Sequence, residues 1–522
     1  MNNCPQGRYE TSYEIGQDNV EIWGMDLHNP VFFISATLML VFVATSVIAP
    51  ETANEFLSAA KSWTINQFDW LFMSTASVLI IFCIALIVLP VGKIRLGGNE
   101  AKPEFSKLSW FAMLFAAGMG IGLLFWGVTE PLAYYTGWGG TPLAVEARSD
   151  EAAQLALPAT IYHWGLHAWA IYAVVGLSLA FFAFNKGLPL TIRSVFYPLL
   201  KDRVWGWWGH VIDITAVLAT IFGLATSLGF GATQAATGLN FLFGLPNDLT
   251  MRVAVIVGVT FFAVLSVVRG IDKGVKILSN INMVLATLLL LGIFLLGASS
   301  NVLVSVFSSI KNYFVHIVPL SYWSDRPDHE WMQSWTVFYW AWWISWSPFV
   351  GMFIARISKG RTIAEFLIAV LIVPTLVTLI WMNVFGSNAL LQAQQGIGSL
   401  ANGIDDASLA LFQMLENIPL TELTSAVAIV LVLLFFVTSS DSGSLVIDSI
   451  TAGGKLDAPI PQRVFWAVTE GAIAAALLIG GGAQALGALQ AGTIATGLPF
   501  TVVLLVMCLS LTIGLRDEQK SR

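Results

Sequence analysis

Residues 70–92 read WLFMSTASVLIIFCIALIVLPVG, a run without one charged side chain. About 20 apolar residues in a helix cross the ~30 Å hydrocarbon core of a bilayer, with every backbone amide bonded inside the segment. Runs of this kind recur along nearly the whole chain. We read spans near 31–50, 70–92, 108–127, 156–184, 208–233, 252–269, 279–299, 332–357, 364–386, 421–448, 462–481 and 492–514, twelve in all. The fold class that follows is all-α integral membrane.

Composition and charge agree. Of 522 residues, 56% are apolar and 11% charged, where soluble proteins carry about a quarter charged. A net charge of −7 with no basic cluster excludes a nucleic-acid partner. Cys4, Cys83 and Cys508 have the spacing of neither a disulfide framework nor a metal site. The first 30 residues are polar and carry Glu10, Glu14, Asp18, Glu21 and Asp26. They have no basic start and no cleavable apolar core, so the first span is expected to stay as an anchor.

The basic residues orient the spans. With a cytoplasmic N-terminus, 20 of the 25 Lys and Arg fall on the inner side, leaving Lys61, Arg148, Arg252, Lys311 and Arg326 outside. That bias predicts both termini cytoplasmic in a plasma (inner) membrane. The expected segments are a cytoplasmic start at 1–30, two leading spans at 31–92, a five-span unit at 93–299, a linker at 300–331, a second five-span unit at 332–514 and a short tail at 515–522. Within the linker, 302–318 (VLVSVFSSIKNYFVHIV) sets Lys311, Asn312 and His316 among apolar positions, the pattern of an interfacial helix on the outer surface. Five spans invert the second unit relative to the first, as in inverted-repeat transporters.

Four spans hold residues unsuited to plain anchors. Span 3 contains AAGMGIGLLFWGVTEP, with Gly118, Gly120 and Gly122. Each glycine weakens a helix by about 1 kcal/mol relative to Ala. One reading is close packing through the small pairs Ala116/Gly120 and Gly118/Gly122. The other is a broken helix whose backbone faces a midplane site. Span 4 places Trp164, Trp169 and Tyr172 on one side when projected at 100° per residue. An interfacial aromatic belt is the competing account. His163 and His167 have the one-turn spacing of a zinc pair, but no third ligand accompanies them.

Span 8 contains SWTVFYWAWWISWSPFVGMF, with five tryptophans between Trp335 and Trp346. With Trp342 at zero, Trp346 falls at about 40°, Phe349 at about −20° and Phe353 at about 20°, flanked by Trp343 at about 100°. A belt would keep its tryptophans at a helix end; this stripe runs inward. In span 10, Thr438, Ser439, Ser440 and Asp441 follow Phe435. A carboxylate at membrane depth faces a polar interior, and hydroxyls with free carbonyls are ligands for a hard cation such as sodium. Asp213 in span 5 is a second buried acid, readable as a structural acceptor.

Abundant aromatics with little fixed positive charge suit a cationic head group. A quaternary ammonium has no N–H to donate, but π faces attract it with about 0.5–2 kcal/mol each. A carboxylate on the same ligand would find backbone N–H groups at the break in span 3.

The run SWTVFYWAWWISWSPFVGMFIARISKGRT, residues 334–362, closely resembles the signature of the betaine/choline/carnitine transporter family, and spans 3, 4, 5 and 10 match as well. The resemblance implies a LeuT-type 5+5 inverted repeat preceded by two extra helices, trimeric assembly, and alternating access for quaternary-ammonium osmolytes. It places the substrate at Trp164, Trp169, Tyr172, Trp342, Trp343 and Trp346, with Phe353 beside the gate and Gly118, Gly120 and Gly122 at the broken helix. It places sodium, the coupling ion, at the carbonyls of Ala116, Met119 and Phe435 and the side chains of Thr438 and Ser439. Proton-coupled choline members often carry Asp at the position of Gly122, so Gly122 favours a zwitterion such as glycine betaine or dimethylsulfoniopropionate. Carnitine exchangers carry an Arg in span 5; residues 211–233 contain none. A second sodium site of the family uses two Thr in span 5. Here Leu224 follows Thr220 by one turn, leaving a weak site at Thr220 and Phe349. The long charged tail of osmosensing members is also missing, from which little osmotic stimulation is expected.

The expected function is sodium-driven import of such an osmolyte, with membrane lipid as the surrounding partner and no other cofactor. Proton-coupled choline uptake and an aromatic-lined cation channel are the alternatives. An enzyme is not expected, for no nucleophile–base pair is evident.

Overall fold

The computed structural model describes residues 8–118, 120–269 and 271–520, and it is almost entirely helical. Each of the twelve expected spans has a helix. Span 1 is Val31–Ile48 and span 2 is Pro50–Val88, which begins 20 residues before the sequence-based boundary. Span 3 is a bent pair, Lys107–Gly118 and Ile121–Thr136, whose axes differ by 61°. Span 4 is Asp150–Trp164 followed by Leu166–Phe184. Spans 5 to 7 are Trp207–Phe243, Leu249–Arg269 and Ile271–Leu296. Spans 8 to 12 are Val337–Ile357, Ile363–Gln395, Thr421–Thr451, Ile460–Gly481 and Ala485–Lys520.

Length and apolarity alone select a slightly different twelve. They include the linker helix Ser299–Ser321 and omit span 8, whose tryptophans lower its mean hydropathy. Packing separates the two. In span 8 nearly every side chain is buried among spans 4, 5 and 12. In Ser299–Ser321 only Val302, Ser309, Tyr313 and Leu320 are buried. That helix lies across spans 4 and 9, where Ser305 and Ser309 donate to Asn383 Oδ1 at 2.7 and 3.0 Å.

Local chemistry sets the boundaries. Ser149 caps span 4 by accepting from the Ala152 N–H, and Thr362 caps span 9 by accepting from Glu365. Span 4 is not the continuous helix assumed in the angular projection. It breaks at Gly165, where an added Cβ would meet the carbonyl oxygen of Ile161 at 2.6 Å. Span 8 is entered through a π-helical turn, Met332–Thr336, a form that recurs at functional sites.

The polar start contains an element the sequence reading did not anticipate. Asn19–Ile22 and Met25–His28 pair antiparallel as a hairpin, turned by Trp23 and Gly24 at positive φ. The hairpin binds the turn Arg193–Phe196 and the ends of spans 5, 10 and 11. Asp26 pairs with Lys455 and accepts from Asn19 at 2.8 Å, and Asn19 donates to the Ala452 carbonyl at 2.9 Å. His28 Nε2 accepts from Arg193 at 2.9 Å while Nδ1 lies 3.2 Å from Asn19 Oδ1. Arg193 in turn holds Asp213 at 2.5 Å, so Asp213 is a structural acceptor here.

Candidate functional site

The break in span 3 is the centre of the site. The helix Lys107–Gly118 ends there with its last carbonyls beyond the reach of its own N–H groups. Ile121–Thr136 begins there with no side-chain cap among the described residues, the Leu123 N–H donating to the Gly120 carbonyl at 3.2 Å. The two ends carry partial charges of opposite sign. They face two adjoining cavities.

The first cavity is lined by Gly118, Gly120, Ile121, Gly122 and Leu123 from the break, by Trp164, Trp169 and Tyr172 from span 4, and by Trp342, Trp343 and Trp346 from span 8. All six aromatics expected at a substrate site therefore converge. Trp342 and Trp343 stack at 4.9 Å and 13°. Trp164 meets Trp343 edge-on at 4.8 Å and Trp342 at 6.0 Å. Tyr172 bridges Trp169 at 5.2 Å and Trp343 at 6.2 Å. Three indoles are fixed by their N–H groups: Trp164 donates to Glu130 at 2.7 Å, Trp342 to Ser227 at 3.2 Å and Trp343 to the His163 carbonyl at 2.8 Å. The Trp346 indole N–H is buried without a partner among the described residues.

The second cavity is lined by Ala116, Phe435, Thr438 and Ser439, with Phe349, Phe353, Asn282 and Ser442. Ala117, Trp346, Val350 and Ser439 line both cavities. The described residues expected to hold sodium are thus gathered around one space; Met119 lies outside the described residues. Thr438 Oγ1 donates to the carbonyls of Leu434 and Phe435 at 3.0 and 3.2 Å and accepts from Asn282 Nδ2 at 3.2 Å. Asn282 Oδ1 is buried without a partner among the described residues, a further oxygen donor that the sequence reading did not single out. Carbonyl, hydroxyl and amide oxygens together fit a hard cation. Phe353 lines this cavity and not the cage. Thr220 lines neither cavity; its hydroxyl donates to Ala216 at 2.7 Å. Leu224 fills the space against Gly443. Of that pair, Phe349 lines the second cavity and Thr220 lines neither of the two.

Access is asymmetric. Toward the start of span 8 the cage is covered by Trp126, Tyr134, Trp331 and Trp335, none more than 4% exposed, in edge-to-face contacts of 5.0–5.4 Å. Toward the end of span 8, Phe353 is 36% exposed and Trp346 is partly so.

Two other sequence candidates resolve differently. His163 is enclosed by Glu130 at 2.8 Å and Thr336 at 2.9 Å, and His167 stacks on Trp340 at 5.6 Å. No cluster of three metal-ligating side chains occurs among the described residues. Asp441 accepts from Ser266 at 2.6 Å and does not line either cavity. Glu130, passed over in the span 3 motif, is fully buried behind Trp164.

Comparison with known proteins supplies the context. The family described as BCCT, betaine/carnitine/choline family transporter, matches residues 30–520. Glycine betaine transporter 1 of Vibrio parahaemolyticus serotype O3:K6 (strain RIMD 2210633) is 60% identical over 512 residues, covering 98% of each chain. A glycine betaine/proline/choline/ectoine transporter of the same strain is 58% identical over 510 residues, 97% of this chain and 91% of the relative. The glycine betaine transporter OpuD of Bacillus subtilis (strain 168) is 44% identical over 493 residues, 94% and 95% of the two chains. The chain is a multi-pass membrane transporter, not an enzyme, and it belongs to the betaine/carnitine/choline transporter family.

Proposed function

We propose that the chain imports a zwitterionic quaternary-ammonium or sulfonium osmolyte, of the glycine betaine or dimethylsulfoniopropionate class, together with sodium by alternating access. One observation carries the reading: a single helix break offers N–H groups to an aromatic cage and carbonyls to an oxygen-lined cavity beside it. The cage attracts the trimethylammonium or dimethylsulfonium head through its π faces. The N-terminal end of Ile121–Thr136 receives the carboxylate. Sodium takes the carbonyls of Ala116, Met119 and Phe435 and the hydroxyls of Thr438 and Ser439, and so favours the conformation in which the two parts of span 3 and span 10 stand together.

Coupling follows from that shared element. A ligand shifts a conformational equilibrium only by its differential affinity for the states, and both ligands grip the same break. The closed aromatic cover at one end of span 8 and the partial exposure at the other support an inward-facing form of an alternating-access cycle. The positive-inside bias supports an inner membrane with both termini cytoplasmic. Family membership supports assembly as a homotrimer and the 5+5 inverted repeat.

A proton-coupled choline transporter is disfavoured by Gly122, where the indoles of Trp164 and Trp342 leave no room for a counter-charged side chain. Calorimetric titration of the purified protein tests the proposal. Glycine betaine should bind more tightly in sodium than in equimolar potassium; equal affinities would contradict the coupling.

A further inference from the structure

Glu130 is a carboxylate in the middle of an aromatic bundle, with no solvent exposure. Its Oε1 accepts from the Tyr134 hydroxyl at 2.8 Å and lies 2.8 Å from His163 Nδ1. Its Oε2 accepts from the Trp164 indole at 2.7 Å and from the Tyr339 hydroxyl at 2.5 Å. With the His163 proton on Nδ1, Nε2 accepts from Thr336 at 2.9 Å, and a neutral imidazole satisfies both edges. Four donors thus converge on two oxygens, which are both satisfied as acceptors. Among the described residues, no Lys or Arg nitrogen lies within 4 Å of it. An acidic side chain at membrane depth is costly and marks a functional place in the fold.

Among the described residues no Lys or Arg supplies a cation here, whereas the proposed ligand carries one. Trp164 turns its N–H to Glu130 and its benzo edge into the cage, where Cη2 stands 2.6 Å from a Cβ built on Gly122. Tyr339 turns its hydroxyl to Glu130 and stacks its ring on Trp343 at 6.0 Å and 27°. Charge-assisted hydrogen bonds are the strong ones. Donation from an indole or phenol to a carboxylate raises the electron density of the ring, which deepens the negative π face that a cation feels. The carboxylate also adds its own field in a medium that screens poorly.

We propose that Glu130 is the specificity-determining residue that makes the cage prefer a cationic head group over a neutral one of the same shape, acting through Trp164 and Tyr339. The inference rests on the cage reading above. It goes further by assigning the charge discrimination to a residue that lines neither cavity.

The test compares glycine betaine with 3,3-dimethylbutanoate, which replaces the ammonium nitrogen by carbon and keeps the carboxylate. Affinities are measured by direct titration and by competition against labelled betaine, on the full-length protein in saturating sodium. Glu130→Gln should weaken betaine about tenfold and 3,3-dimethylbutanoate less than about twofold. An equal loss for both ligands, or no loss for betaine, would overturn the inference. Tyr339→Phe removes one donor with little change in shape and should give a smaller loss, about threefold, again confined to betaine; a loss shared by both ligands contradicts the inference. In a Trp164→Phe background, which keeps a ring and removes the N–H, Glu130→Gln should cost betaine about threefold or less. A full tenfold cost there would rule out the route through Trp164. If wild-type protein bound betaine no better than 3,3-dimethylbutanoate, the cage reading itself would fall, and the inference with it.

Discussion

A Cβ on residue 122 would stand 2.6 Å from Cη2 of Trp164, closer than real Cβ atoms approach, and 3.1 Å from Cη2 of Trp342, tighter than most real contacts. The glycine and the two indole edges therefore define one another. Gly122→Ala should push Trp164 out of the cage and raise the KM for glycine betaine at least about tenfold. Gly118→Ala is the control, because its Cβ would touch Pro374 and Trp169 at an ordinary 3.4 Å; its KM should stay within about threefold. Uptake kinetics of the two variants check the contrast.

Trp343 and Trp346 supply separate walls. Removing either ring by substitution with Ala should weaken betaine binding about five- to thirtyfold, from about 1–2 kcal/mol per desolvated face. Phe at either position should keep part of the affinity and Leu should not. If Leu matched Phe in a binding titration, apolar packing would account for these residues and the cation–π argument would fail.

How much of this was legible in the sequence depends on the range of each interaction. The spans and the cage tryptophans were readable because membrane length and aromatic clustering are local properties of the chain. The stripe of Trp342 and Trp346 does run inward, but Phe353 belongs to the neighbouring cavity, which helical angles cannot distinguish. The projection of span 4 assumed one helix, and the break at Gly165 depends on a contact with the Ile161 carbonyl. Glu130 was missed because its four donors come from spans 3, 4 and 8, so no local pattern marks it. A signal existed all the same: a carboxylate within an apolar run is costly wherever it falls. The hairpin was hidden in a short polar segment, where only Val20, Ile22 and the Trp23-Gly24 turn hint at strands.

His28 gives a pH dependence outside the membrane spans. Burial, with Arg193 and then His210 nearby, lowers its pKa to about 3. The undocked hairpin would titrate near the ordinary value of 6.5, so it binds more protons than the docked one between pH 6.5 and 3. Docking is therefore fully favourable above pH 6.5 and weakens as pH falls, by about 2 kcal/mol at pH 5. A spin label at Trp23→Cys should grow more mobile between pH 7.5 and pH 5. His28→Gln should flatten that change; an unchanged pH response in the variant would assign it elsewhere.

Sodium dependence should reside at span 10. Thr438→Val and Ser439→Ala should each raise the sodium concentration for half-maximal uptake at least about tenfold, since each removes one of the few oxygen ligands that replace the ion's hydration shell. Thr220→Ala should leave it unchanged, with a Hill coefficient near one. A wild-type coefficient clearly above one that fell to one in Thr220→Ala would establish a second sodium at span 5.

The central claim is that one helix break joins a zwitterion site to a sodium site, and uptake into proteoliposomes tests it most directly. Labelled glycine betaine should accumulate against its gradient when sodium is high outside and low inside. Accumulation should disappear when potassium replaces sodium. Equal accumulation in potassium, or uptake that never exceeds equilibration, would contradict the account.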